Sequence, residues 1–226
     1  MNKFLYILLT ILFFTSCSQD EQPMAEQGYL SLTGLEVQAV ETEVVTTRAV
    51  DEDFTIEVYK EGETTAITSL TYAAAQTTGS KIALEAGNYY LKVYNAAYGS
   101  SDYSKPVYFY QSEVFAIEAD WVTYVDAVVP MINFGVRLVL PASFSEFFTS
   151  ATLAVTVGDV TRSLGDGETA YFPVPATDGS TAISYTLTAT NNDGEENQQT
   201  GAFGNNTPES SQVTAGKVYV VTYEYQ

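Results

Sequence analysis

The sequence predicts an all-β fold, and three observations carry that expectation. Seventeen tyrosines stand beside many Val, Thr and Ala, and β-branched and aromatic side chains suit a pleated surface. Short runs of alternating apolar and polar residues recur, punctuated by Gly, Asn and Asp, as strands and turns do. No stretch keeps a helical period over its length. About 200 residues follow an N-terminal apolar segment, enough for one large or two small β domains.

That first segment has its own chemistry. Behind Lys3, Phe4 to Phe14 form an apolar core of about eleven residues, the length of a secretory h-region and well short of the ~20 needed to span a bilayer. The small residues Thr15 and Ser16 precede Cys17, the sole cysteine. Residues 1–16 resemble a bacterial lipoprotein signal peptide, although Phe14 stands where such signals usually carry Leu. The resemblance implies lipid, palmitate included, on the Cys17 sulfur and attachment to the outer membrane. Each buried methylene adds ~0.8 kcal/mol, so two or three acyl chains anchor stably without a spanning helix. The alternative is an ordinary signal peptide that leaves a stray thiol. Ser18-Gln19-Asp20-Glu21-Gln22-Pro23 opens a polar tether over residues 17–27. Its Gln-acidic-acidic run resembles the export signal of Bacteroides-type surface lipoproteins, which implies display on the cell surface.

Strands are expected in order from there. Tyr29 to Val37 alternates around Leu30, Leu32 and Leu35, and Phe54, Ile56 and Val58 share one face of the next run. Lys81 to Leu84, a Gly87-Asn88 turn and Tyr89 to Tyr94 read as a hairpin. Val107 to Ile117 and Val122 to Val129 read as longer strands, after which Pro130 interrupts the ladder. Phe134 to Leu140 follows and stops at Pro141. Phe144 to Ser150 reads as a short helix capped by Ser143, with Phe144, Phe147 and Phe148 on one face. Leu153–Val157, Thr161–Leu164, Ala170–Val174, Ile183–Thr190 and Val218–Tyr225 complete the set, with turns at Asp166-Gly167 and Asn192-Asp193-Gly194. The expected organisation is two Ig-like β-sandwiches in series, 28–129 and 130–226.

Composition excludes several functions. The chain carries 28 acidic and 9 basic residues and no histidine, a formal charge of −19. Phosphate backbones would be repelled, so no nucleic-acid partner is expected. Without histidine or a free thiol, Ser-His-Asp and Cys-His catalysis and ordinary zinc sites fall away. No glycine-rich phosphate loop with a lysine occurs. Paired carboxylates for glycoside hydrolysis stay open in principle, but the charges gather in turns and tethers, and no enzyme is expected. Asp51-Glu52-Asp53 and Asp193-Gly194-Glu195-Glu196 offer oxygen ligands without EF-hand spacing. They read as solvated turns, and neither cofactor nor metal is expected. Trp121, Tyr98 and Tyr103, with Tyr108 and Tyr110 nearby in sequence, are candidate glycan contacts. Flat aromatic faces stack on sugar C–H groups, whereas the same tyrosines could equally form a half-buried sheet face.

Several phrases resemble the fimbrillin-like surface lipoproteins of Bacteroides-type bacteria and an uncharacterised domain family related to them. They are Gly28-Tyr29-Leu30-Ser31-Leu32, Thr47-Arg48-Ala49, Leu84-Glu85-Ala86-Gly87-Asn88-Tyr89-Tyr90, Pro106-Val107-Tyr108-Phe109-Tyr110 and Ile132-Asn133-Phe134-Gly135-Val136. The resemblance implies two transthyretin-like sandwiches and a role in adhesion or fimbria assembly. It also implies processing between Arg48 and Ala49, removal of the strand Tyr29 to Val37, and partnership with other fimbrial subunits by strand complementation. Arg48 is equally readable as a solvent-facing arginine in a linker. Gln226 directly follows the last strand with no spare donor segment, which favours an anchor, a tip subunit or a stand-alone surface protein. The reading is therefore a non-enzymatic, lipid-anchored surface protein for adhesion, contacting host or bacterial surface ligands. Its rival is a glycan-binding surface lipoprotein.

Overall fold

The computed structural model describes residues 26–38, 40–41, 54–71, 81–100, 103–175, 183–203 and 213–223. Among them are sixteen strands and one short helix. The protein is all-β, and its sheets stack as sandwiches. Cys17, Arg48, Ala49 and Asp51-Glu52-Asp53 lie outside the described residues, as do the side chains of Leu32 and Leu35.

The N-terminal half supplies two sheets. Strand β1 (Gln27–Gln38) lies between β5 (Lys81–Glu85), antiparallel to it, and β9 (Val122–Pro130), parallel to it. Facing this sheet are β4 (Thr68–Thr71), β3 (Thr55–Lys60) and β6 (Gly87–Tyr94), in that order. The far edge of β6 is shared by β7 (Phe109–Gln111) and β8 (Phe115–Ile117). Period-2 alternation turns Leu30, Leu84, Ala127 and Val129 of the first sheet onto Ile56, Val58, Leu91 and Val93 of the second. Phe54 closes the same core, so the predicted face of Phe54, Ile56 and Val58 is the buried one. Each such side chain taken fully out of water contributes roughly 1.5–3 kcal/mol.

The C-terminal half repeats the plan. One sheet runs β13 (Thr169–Phe172), β10 (Phe134–Val139), β16 (Lys217–Thr222) and β2 (Val40–Glu41). The other runs β12 (Val160–Leu164), β11 (Phe148–Val157), β14 (Ile183–Asn191) and β15 (Glu196–Ala202). Phe134, Val136, Leu138, Leu153, Val155, Phe172 and Leu187 form their shared core. The two halves interlock. Tyr171 and Val218, on the outer face of the β13–β10–β16 sheet, are buried in the first core, and β2, just after β1, pairs with β16.

Asn133 fastens this junction. It is completely buried. Its Oδ1 accepts from the Val107 N–H at 2.9 Å, and its Nδ2 donates to the Lys105 carbonyl at 2.8 Å. Its own carbonyl accepts from the Gly216 N–H at 2.9 Å. Two residues on, a Cβ at Gly135 would come within 3.1 Å of its cross-strand neighbours Tyr171 and Val218, so a side chain there would crowd the two residues that enter the first core.

Three expected elements differ. Lys81–Leu84 and Tyr89–Tyr94 are no hairpin: β5 pairs with β1 and β6 with β3, so the chain changes sheets at Ala86. Both strands bury apolar side chains, and a sandwich core satisfies both better than a two-stranded ribbon would. The run Val107 to Ile117 breaks into β7 and β8 because Ser112 inserts between them. Its Oγ accepts from the Leu91 N–H at 2.9 Å and its own N–H donates to the Leu91 carbonyl at 2.9 Å. The helix over 144–150 shrinks to α1 (Phe144–Phe147), without a side-chain cap from Ser143. Phe148 instead begins β11 and stacks on Phe144 at 4.9 Å, while Phe147 is exposed. β15, reading Glu-Asn-Gln-Gln-Thr-Gly-Ala, is invisible to apolar alternation because it is an exposed, polar edge strand.

Candidate functional site

Trp121 is the most exposed large apolar side chain described, at 69%. A tight turn holds it. Asp120 adopts φ 64°, a left-handed conformation that aspartate tolerates better than most residues. The Asp120 N–H donates to the Gln27 carbonyl at 2.9 Å, and the Tyr29 N–H donates to the Trp121 carbonyl at 2.9 Å. The turn therefore presses onto the start of β1 at Gly28. A Cβ there would overlap the Glu118 carbonyl oxygen and lie 2.7 Å from Ile117 Cγ2.

β1 and β9 then add two further aromatics. Leu30 faces the core, so Tyr29 and Ser31 lie on the opposite face of the strand. The parallel register sets Tyr29 beside Val122 and Ser31 beside Tyr124. Tyr29 is 41% exposed and Tyr124 66%. The outer face of β5–β1–β9 thus carries two water-exposed tyrosines on neighbouring strands, and Trp121 stands exposed in the turn that leads into β9. The acids Glu85, Glu118, Asp120 and Asp126 belong to the same strands and turn. Flat rings with carboxylate acceptors nearby form a lining suited to neutral sugars.

The other predicted aromatics lie elsewhere. Tyr98 belongs to the opposite outer face: it stacks on Phe109 at 4.3 Å and tilts against Tyr94 at 5.3 Å. Because the two sheets share one core, their outer faces point apart, and Tyr98 does not join Tyr29 and Tyr124. Tyr103 is half-buried in the segment before β7. Tyr108 is a core residue packed on Phe54 at 5.6 Å, and Tyr110 packs against the same core. Local sequence pattern does not single out Tyr29 and Tyr124 as site residues. Only the pairing of β1 with β9, distant in sequence, brings them together.

Tyr98's face is a self-supporting aromatic ladder. Tyr59 and Tyr90 stack at 5.0 Å, and Lys92 Nζ lies 4.5 Å from the Tyr59 ring centre. The Tyr59 hydroxyl donates to Glu57 Oε2 at 2.5 Å. That hydrogen bond, with burial and the carboxylate's charge, pushes the Tyr59 phenol up to about 12. Burial, then Glu57, raises Tyr94 as well. A phenol whose folded value lies above its unfolded one stabilises the fold fully below the unfolded value near 10, and that stabilisation is lost as pH rises through the folded value. Between about pH 10 and 12 the protein is therefore expected to lose stability, and Tyr59→Phe to flatten that loss in urea titrations. An unchanged slope in the variant would remove Tyr59 as its cause.

Among the described residues, no three Asp or Glu side chains cluster to hold a metal. The Asp193-Gly194-Glu195-Glu196 stretch forms the β14–β15 turn, where Asn191 Oδ1 accepts from the Asp193 and Glu195 N–H groups. No described helix is long and apolar enough to cross a membrane.

Comparison with known proteins gives no match among the curated sequences. Among solved structures, a candidate cell adhesion protein from Bacteroides uniformis is 12% identical, with a TM-score of 0.49 over 88% of this chain and 93% of that one. Two candidate adhesins from Bacteroides ovatus are also similar. One is 12% identical with a TM-score of 0.40, covering 89% of this chain and 94% of that one. The other is 8% identical with a TM-score of 0.43, covering 88% and 87%. Residues 26–226 match the family described as Domain of unknown function (DUF4493), and the chain belongs to that family.

Proposed function

We propose that this chain is a non-enzymatic cell-surface protein for adhesion, held on the outer membrane through lipid on Cys17. The observation that carries the adhesive role is the set of exposed aromatic side chains at β1 and β9: Tyr29 and Tyr124 on the outer face of β5–β1–β9, and Trp121 in the turn that enters β9. The anchor rests on the N-terminal sequence, and the two-domain division at residue 130 belongs to the same reading.

In its fimbrial version the protein is an accessory, anchor or tip subunit that meets other subunits by strand complementation. β1 is the strand concerned. It lies at the centre of its sheet, so its departure would break two ladders and open the slot filled by Leu30. Cleavage between Arg48 and Ala49 would also part the body from Cys17, so an anchor stays uncut. Mass spectrometry of lipid-labelled, surface-shaved cells tests both points. Lipid on the Cys17 peptide with an intact 48–49 bond is the expected result, and an unmodified thiol there would sink the anchor.

Glycan recognition is the chemistry that the exposed aromatics favour. Trp121 is the only tryptophan, so its fluorescence reports on a ligand that reaches the turn into β9. A glycan that binds is expected to shield Trp121 from acrylamide. Trp121→Ala and Tyr124→Ala are each expected to weaken that binding roughly tenfold, about 1.4 kcal/mol, without moving the urea midpoint. A glycan array left blank by the folded protein would remove this version and leave the protein-contact one.

A further inference from the structure

We propose that β15 is an edge by which two copies of this chain pair, the two strands running antiparallel about a two-fold axis at Gln199. β15 is the outermost strand of the β12–β11–β14–β15 sheet, and six of its seven residues are exposed. Native proteins blunt such edges with charge, proline, a bulge or a very short strand. Glu-Asn-Gln-Gln-Thr-Gly-Ala contains neither lysine nor proline, its one charge stands at the end, and it pairs with β14 without a break in register. The other edges are guarded. β4 and β13 have four residues each, and β2, β7 and β8 are shorter still. β5 opens with Lys81, β12 carries Arg162 at its middle, and β9 carries Asp126 and ends in Pro130.

Hydrogen bonds at the two ends of β15 fix which of its backbone groups point outward. The Asn191 N–H donates to the Glu195 carbonyl at 2.9 Å, and the Phe203 N–H donates to the Ile183 carbonyl at 3.2 Å. Bonded and non-bonded pairs alternate along an antiparallel ladder. Asn197, Gln199 and Gly201 therefore bond to Ala189, Leu187 and Tyr185 of β14. The N–H and C=O groups of Glu196, Gln198, Thr200 and Ala202 point away from the sheet. Among the described residues no strand takes them.

A second copy of β15 matches that row. With the axis at Gln199, Gln198 of each copy faces Thr200 of the other, and Glu196 faces Ala202, so all four outward residues pair. An axis at Gln198 or at Thr200 would leave one of them opposite a residue beyond the strand's end. Glu196 is the strand's one charge, and this register sets it against an alanine, so like charges do not face one another. The contact is isologous and closes on itself. It needs no strand to leave its sheet, which separates it from complementation through β1. Seven residues span only about 24 Å, so the interface is small and the dimer weak and concentration-dependent.

Disulfide trapping tests the register, because the chain from Ser18 onward has no cysteine of its own. Gln199→Cys puts one thiol from each copy at a non-bonded pair, with Cα atoms about 4.5 Å apart, within the span of a disulfide. Asn197→Cys, exposed on the same face of the same strand, would hold its two thiols about 14 Å apart. Mild oxidation is expected to cross-link Gln199→Cys at least tenfold faster than Asn197→Cys. Gln198→Pro removes an outward N–H and no bond to β14. It should cut the cross-linking of Gln199→Cys at least tenfold while the urea midpoint stays close to that of the parent chain. Sedimentation of the cysteine-free chain should show a dimer that grows with concentration, disappears in Gln198→Pro and persists in Trp121→Ala. Equal cross-linking of the two cysteine variants would overturn the proposal. So would a dimer that survives in folded Gln198→Pro, one lost in Trp121→Ala, or a chain that stays monomeric at the highest concentration reached. Should proline unseat the strand, the comparison of the two cysteine variants still decides.

Discussion

Asn133→Ala is expected to cost roughly 2–4 kcal/mol of stability, because it strands two backbone groups at once. The Val107 N–H loses its acceptor and the Lys105 carbonyl loses its donor. The Val107 N–H does not recover water easily, since Asn133 is completely buried and Val107 nearly so, whereas the exposed Lys105 regains part of its loss. The cavity left by the amide adds to the loss. Asn133→Asp sharpens the test. It keeps an acceptor for Val107, yet sets a carboxylate against the Lys105 carbonyl, two acceptors facing each other in a buried site. Asp is therefore expected to be no better than Ala, although it is closer in shape. Urea unfolding with an unchanged slope reads the difference. A midpoint within experimental scatter of the wild type for Asn133→Ala would show that the junction does not depend on this side chain.

The strands are legible in the sequence wherever one face is buried and the other is wet. β3 and β6 show this best: Phe54, Ile56, Val58, Leu91 and Val93 alternate with half-exposed neighbours, and the period of two is written in residue type. Pairing is not legible in the same way. Local pattern says that β5 and β6 are strands, but not that one residue, Ala86, carries the chain from one sheet to the other. The parallel ladder of β1 with β9 has no local signature either, and Tyr29 and Tyr124 become one surface only through it. Polar edges hide for a different reason. β15 buries little, so no hydrophobic alternation marks it. Single residues can still speak. The phrase Ile132-Asn133-Phe134-Gly135-Val136 reads as a strand opening, and in the fold it holds both the buried amide that joins the halves and a glycine flanked closely by Tyr171 and Val218.

Gly28→Ala is expected to damage stability and the aromatic face together. The added methyl would overlap the Glu118 carbonyl oxygen and crowd Ile117 Cγ2 at 2.7 Å. A flexible side chain could step aside, but a carbonyl within a turn cannot move alone. Glu118 is tied to Trp121, whose N–H donates to its carbonyl at 3.3 Å, and Asp120 is already in a left-handed conformation. Relief must come by shifting residues 118–121 away from β1, which stretches the Asp120-to-Gln27 and Tyr29-to-Trp121 hydrogen bonds. Overpacking of this kind costs about 1–3 kcal/mol, and more when backbone is the obstacle. Leu30→Ala is the control. It empties a fully buried position on the same strand and is expected to cost about 2–5 kcal/mol through a cavity, yet it leaves the turn in place. The two variants should therefore both lower the urea midpoint but differ at Trp121. Acrylamide quenching and glycan binding should change in Gly28→Ala and persist in Leu30→Ala under conditions where both are folded. If Gly28→Ala loses stability while Trp121 keeps its quenching and its ligand, the turn does not depend on close approach to β1, and the platform is positioned by β9 alone.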